Sequence, residues 1–148
     1  MGAWGIGIFE NDDAMDWLLE FAQVGAVAIA GAMTDVRDSA QNGYIEVDAG
    51  SRLLAACDIT AAARGYPSSP KPDFTGAVDV EAFWTFVEDR LGLEPEDAIA
   101  CSDAISLVTD DPSQSELMGL WGDGGEASLK PFLATVDDLQ KRLAEASR

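Results

Sequence analysis

The chain is predicted to fold as an all-α protein, a single compact bundle of about six helices preceded by an irregular N-terminal arm rich in Gly and Trp. Three observations predict it. Apolar residues recur at helical spacing almost throughout. Cap residues and glycines punctuate the helical runs. Only one short stretch, Tyr44-Ile-Glu-Val47, reads as extended.

The arm, residues 1–10, holds Gly2, Gly5 and Gly7 beside Trp4, Ile6, Ile8 and Phe9. Glycines let a backbone pass close to its neighbours, so the arm is expected to lie across other helices with Trp4 and Phe9 as anchors. The first helix follows Asn11 or Asp12 as N-cap. Ala14, Trp17, Leu18 and Phe21 face inward, and Asp13, Asp16, Glu20 and Gln23 form the opposite face. Gly25 breaks or bends it. Residues 27–36 are small and apolar on nearly every side, which predicts a helix in the middle of the bundle, with Gly31 allowing close approach.

Gln41-Asn42-Gly43 signals a turn. A third helix is expected over 48–64, with Leu53 and Cys57 inward and Gly65 as its stop. Pro67, Pro70 and Pro72 make a non-helical surface loop. Asp79 caps a fourth helix carrying Val80, Phe83, Trp84, Val87 and Leu91, and Gly92 ends it. Pro95 opens a fifth with Ala98, Cys101, Ile105 and Val108 inward. Ser113-Gln-Ser-Glu116 matches a capping box ahead of Leu117, Leu120 and Trp121. Ser128 is expected to cap a last helix that buries Phe132, Val136, Leu139 and Leu143, with Lys141 and Arg142 near its negative end. No internal repeat divides the 148 residues, so one domain over 1–148 is expected; a chain this long buries about 70% of its unfolded surface without a disulfide or metal.

Charge is the strongest global feature: nine basic against 27 acidic residues, a formal net charge of −18. No Lys or Arg precedes Arg37, and Arg90 alone stands between Lys71 and Lys130. Such a surface repels nucleic acid and anionic membrane, which are gripped through Lys and Arg. The same charge either serves solubility alone or, in a sharper reading, steers the chain toward a basic partner. No apolar run approaches the ~20 residues of a spanning helix, and no secretory signal is visible, so a soluble cytoplasmic protein is expected.

The chain contains no histidine, which excludes histidine-based acid–base and nucleophilic catalysis and most transition-metal sites. Cys57 and Cys101 lie in apolar helical runs and read as reduced, buried thiols. Gly2-x-x-Gly5-x-Gly7 lacks a preceding strand and a following Lys-Ser/Thr, so it makes no phosphate loop. The residues with ligand chemistry are Asn11, Asp12, Asp13 and Asp16, with Glu10 beside them. Carboxylate and amide oxygens suit Ca²⁺ or Mg²⁺, but the spacing is not that of a Ca²⁺ loop, and capping of the first helix is the leading reading of the same residues.

Met1-Gly-Ala-Trp-Gly-x-Gly-x-Phe9 with Asn11-Asp-Asp-Ala14-x-Asp16-Trp17, and later Ser115-Glu-Leu117 with Leu120-Trp121, resemble two motifs of a bacterial family of domains of unknown function. The resemblance spans nearly the whole chain, with divergence expected at 67–76 and 122–125. It implies that the two motif regions form one structural unit, with Trp4 or Trp17 near Trp121. It carries over no catalytic residue, cofactor or partner.

No cofactor is expected. The leading functional expectation is a non-enzymatic, acidic protein-binding module directed at a basic partner, in the manner of an immunity or antitoxin protein. The second is a divalent-cation or small-ligand binder using Asn11, Asp12, Asp13 and Asp16. A weaker third is an enzyme working through carboxylates alone.

Overall fold

A computed structural model describes residues 3–148; Met1 and Gly2, which open the first motif, lie outside the described residues. Among the described residues there are seven α-helices and no strand: α1 (Asp12–Val24), α2 (Ala26–Gln41), α3 (Val47–Ala63), α4 (Val80–Asp89), α5 (Pro95–Thr109), α6 (Glu116–Asp123) and α7 (Glu126–Ala146). A 3-10 turn, Pro112–Gln114, joins α5 to α6. The all-α class and its compact helical packing are as the periodicity predicts.

The middle of the bundle is α3, not α2. Helix α3 packs against α1, α2, α4, α5, α6 and α7. Its residues from Leu53 to Ala62 are buried on every side. Small side chains such as Ala55, Ala56, Ala61 and Ala62 keep its cylinder thin enough for six neighbours. Gly50 is the glycine that permits close approach: a Cβ there would sit 3.3 Å from Leu117 Cδ2 and 3.4 Å from Val108 Cγ1. Gly31 on α2 faces open space instead. Helix α2 is amphipathic, burying Ala28, Ile29, Ala32, Met33 and Val36 while Val27 is 72% exposed. Its small apolar residues look alike on both faces in sequence, so spacing alone does not fix its place in the bundle.

Two buried polar side chains inside α3, Thr60 and Asp58, have partners. Thr60 Oγ1 donates to the Ala56 carbonyl at 2.8 Å. Asp58 accepts from Arg142 Nη1 of α7 at 2.6 Å, and the same guanidinium reaches Asp138 through Nε at 2.9 Å. Arg142 is therefore a buried-pair partner rather than a dipole cap. Arg64 Nε donates to the carbonyl of Ala146, and Ser102 Oγ donates to Gln140 Oε1, tying α7 to α3 and α5.

An aromatic chain joins the arm to α4 and α1. Phe9 meets Phe74 edge-on at 4.9 Å, Phe74 meets Phe83 at 5.3 Å, and Phe83 meets Phe21 at 5.8 Å. Phe74 belongs to the proline loop, so that loop is pinned into the core and not merely draped over it.

The arm folds on itself. Trp4 N donates to the Glu10 carbonyl at 2.9 Å, and Ala3 and Asn11 form an antiparallel bridge. Gly7 N donates to Glu10 Oε1 at 3.0 Å, and a Cβ at Gly5 or Gly7 would collide with the Glu10 carboxylate. These glycines make room for Glu10, not for a neighbouring helix. Phe9 and Ile8 are buried as anchors, but Trp4 is 61% exposed.

Two helix starts also differ from expectation. Ser115, not Ser113, is the N-cap of α6, its Oγ accepting from Met118 N at 3.4 Å. Helix α7 begins after Gly125, which leaves Ser128 in its first turn.

Candidate binding surface

The acidic cluster of the first helix divides by function. Asn11 is the N-cap: its Oδ1 accepts from Ala14 N at 2.8 Å and its Nδ2 donates to the Ile8 carbonyl at 3.3 Å. Asp12 and Asp16 are exposed and Asp13 is half-buried. Burial pushes the Asp13 carboxyl above its ordinary value, the Asp48 carboxylate adds to this, and Arg52 opposes it. Among the described residues no three His, Cys, Asp or Glu side chains are grouped to hold a metal ion. The structure therefore does not gather Asp12, Asp13 and Asp16 into one ligand set. It places Asp13 electrostatically beside the start of α3.

At that start lies an open trough of about 360 Å³ whose walls carry Asp35 and Asp38 of α2, Glu46 and Asp48 at the head of α3, Arg52, and the exposed ring of Tyr44. Arg52 pairs with Asp48 at 3.4 Å, so three carboxylates face the trough without an ion-pair partner among the described residues. Asp38 sits in the last turn of α2, and Asp35 one turn earlier. The partial negative charge at a helix C-terminus disfavours an anionic side chain in the last turn, so Asp38 costs α2 some stability. Asp48 and Glu46 stand where a helix favours them, at its N-terminus. Positions that break a local rule with no structural return point to function.

Tyr44 lines this trough, and its buried neighbour Ile45 lines a second one. The 44–45 segment is held by backbone hydrogen bonds on both sides. Tyr44 N donates to the Ser39 carbonyl at 3.2 Å, Ile45 N to Gln114 O at 2.8 Å, and Glu116 N to Ile45 O at 2.9 Å. The second trough, of about 250 Å³, has Ala40, Ile45 and Leu107 as apolar walls, with Asp110 and Asp111 at its edge. Asp110 is the C-cap of α5. Two helices, α2 and α5, thus present their negative ends and their carboxylates to one face.

The second motif region meets the arm elsewhere. Trp121 stacks on Phe132 at 4.8 Å, and both line an enclosed cavity of about 20 Å³ with Gly5, Gly7, Ile8 and Ser51. The arm backbone lies near Trp121 as the resemblance implied. Trp4 itself points to solvent, and Trp17 turns the other way, its Nε1 donating to Ala28 O at 3.0 Å. Glu116, singled out as a motif residue, accepts from Val47 N at 2.8 Å and so caps α3.

Cys57 and Cys101 are free and buried, with Cys57 Sγ 3.7 Å from the Cys101 carbonyl. Burial pushes the Cys57 thiol well above its ordinary range, which makes it a packing group and not a nucleophile.

Sequence reasoning missed Asp35, Asp38, Tyr44, Glu46, Asp48 and Leu107. The i, i+3 spacing of Asp35 and Asp38 at the end of an apolar helix was a usable signal. The exposure of Tyr44 and Leu107 had none, because it depends on how α2 and α5 end against each other.

A family model described as "Domain of unknown function (DUF4259)" matches residues 2–130. No curated protein and no solved structure matches the chain. No helix among the described residues is long and apolar enough to cross a membrane.

Proposed function

The chain belongs to the family of domains of unknown function DUF4259, and from that premise we propose that it is a non-enzymatic, acidic protein-binding module whose partner is a basic protein. An inhibitor of the immunity or antitoxin kind is the concrete form of this reading. The single observation that supports it is the trough around Tyr44, walled by Asp35, Asp38 and Glu46, where Asp38 sits against the preference of its own helix. Their placement makes sense as a target for cations from outside. Tyr44 offers an exposed ring face on which a Lys or Arg can rest. The net charge of −18 extends this attraction over long range and accelerates encounter with a basic surface.

The test is capture of partners on the immobilised protein at low and high salt, with an Asp35→Lys/Asp38→Lys variant in parallel. The reading expects a basic protein that is held at low salt and released at high salt. The variant should lose it. Recovery of no salt-sensitive partner, or equal recovery by the variant, overturns the reading.

A further inference from the structure

We infer that the small cavity beside the arm is a binding site for one water molecule, held by the Ser51 hydroxyl of α3 and by Asp13 at the start of α1. The cavity measures about 20 Å³ and is lined by Gly5 and Gly7 of the arm, by Trp121 and Phe132, and by Ser51 and Asp13. A single water needs about 10–15 Å³ of such space, so the cavity takes one water and nothing larger.

Ser51 lies on the central helix and is only 4% exposed. Other hydroxyls on these helices bond to the carbonyl four residues back: Thr60 to Ala56, Ser106 to Ser102 and Thr109 to Ile105. Ser51 makes no such bond, and its hydroxyl has no other hydrogen-bond partner among the described residues. Among those residues every side-chain oxygen and nitrogen that is fully sealed does have a partner, so the Ser51 oxygen faces space that a water can enter. A hydroxyl buried without a partner is costly, and a water in the cavity removes that cost. Asp13 adds two further groups. Its amide is the second of α1, where no carbonyl of the helix can reach it. Its carboxyl has no hydrogen bond or ion pair among the described residues, and burial holds it above its ordinary value. The water accepts from the Asp13 amide and the Ser51 hydroxyl and donates to the Asp13 carboxyl, about the three bonds usual for a buried water. It ties the start of α1 to α3 where the arm and Trp121 meet.

Two measurements on the full chain test this. A high-resolution crystal structure should show one peak of water density at about 2.7–2.8 Å from Ser51 Oγ, the usual O–H···O distance. In solution, oxygen-17 relaxation dispersion counts long-lived internal waters and does not see exchanging hydroxyl protons. The parent should hold one more such water than Ser51→Val, whose added methyl group occupies the cavity. Circular dichroism checks that the variant keeps its helices. An equal count in the parent and the folded variant overturns the inference. So does a parent crystal structure with no density beside Ser51, whether or not the variant folds. A peak at about 2.3–2.6 Å, the range of a calcium ion, would put a cation in place of the water and overturn it as well.

Discussion

Glu116 Oε1 accepts a hydrogen bond from the amide nitrogen of Val47 at 2.8 Å, across 69 positions of sequence. The first turn of the central helix is therefore capped by a side chain from another helix. Glu46, the N-cap position by chain order, supplies no side-chain bond. A negative oxygen at a helix N-terminus satisfies an orphan donor and the dipole together. Glu116 N also donates to Ile45 O, so one residue holds both the cap and the 44–45 segment of the candidate surface.

Glu116→Ala is expected to cost about 1–2 kcal/mol in chemical denaturation, the range for losing a helix cap with a charged acceptor. Glu116→Gln keeps an acceptor and should cost less. Amide exchange at Val47 should speed up in the Ala variant. Unchanged exchange there would show that the bond is not maintained in solution.

Arg142→Met leaves the carboxylate of Asp58 buried without its partner. Breaking a buried pair from one side costs about 3–5 kcal/mol. The double variant Asp58→Leu/Arg142→Met should recover much of that loss, because it removes the stranded charge. A double variant no more stable than Arg142→Met alone would contradict this account.

Acidity should stabilise the fold between neutral pH and the carboxylate range. Burial raises the Asp58 carboxyl above its ordinary value of 3.8, against the pull of Arg142, and burial with Asp48 raises Asp13. The native state thus binds protons at higher pH than the unfolded chain. Stability from these two groups is fully present below the ordinary value and is lost as pH rises through the raised one. Asp73, which Thr75 holds below the ordinary value by hydrogen bonding, acts in the opposite sense at lower pH and is fully exposed. Relief of the −18 charge adds to the gain. The melting temperature should rise as pH falls from neutral toward the ordinary carboxylate value of 3.8. A steady fall over that interval would refute the assignment. The Arg142→Met deficit should shrink over the same interval, as Asp58 takes up its proton.

Within the arm, Phe9 and Trp4 should behave differently. Phe9→Ala opens a cavity against Phe74 and is expected to cost about 3–5 kcal/mol. Trp4 is mostly exposed, and Trp4→Ala should stay within about 0.5 kcal/mol. A chain lacking the first nine residues should melt well below the full chain. Equal melting temperatures would show that Phe9 and Ile8 contribute nothing to the core.

Much of the fold was legible because its signals are local. Asn11 as N-cap, Asp79 as N-cap and Pro95 at the first position of α5 are each set within one helical turn. The inward faces of α1, α5 and α7 follow from spacing alone: Phe21, Ile105 and Leu139 are buried as expected. The candidate surface was only half legible. Its carboxylates are visible as charge, but the acidic cluster that stands out in sequence, Asp12, Asp13 and Asp16, lies beside the trough and not within it.

By itself the sequence determined the helical class, most helix ends, the acidic surface and the absence of histidine chemistry, since periodicity, capping and charge are properties of neighbouring residues. Which helix occupies the centre was decided only in three dimensions. Helices α2 and α3 are both runs of small apolar residues, and their difference lies in what packs on them. The partners of Asp58 and Glu116, and the pairing of two helix C-termini around Tyr44, were likewise settled by tertiary structure. Those contacts span most of the chain, and no local spacing encodes them.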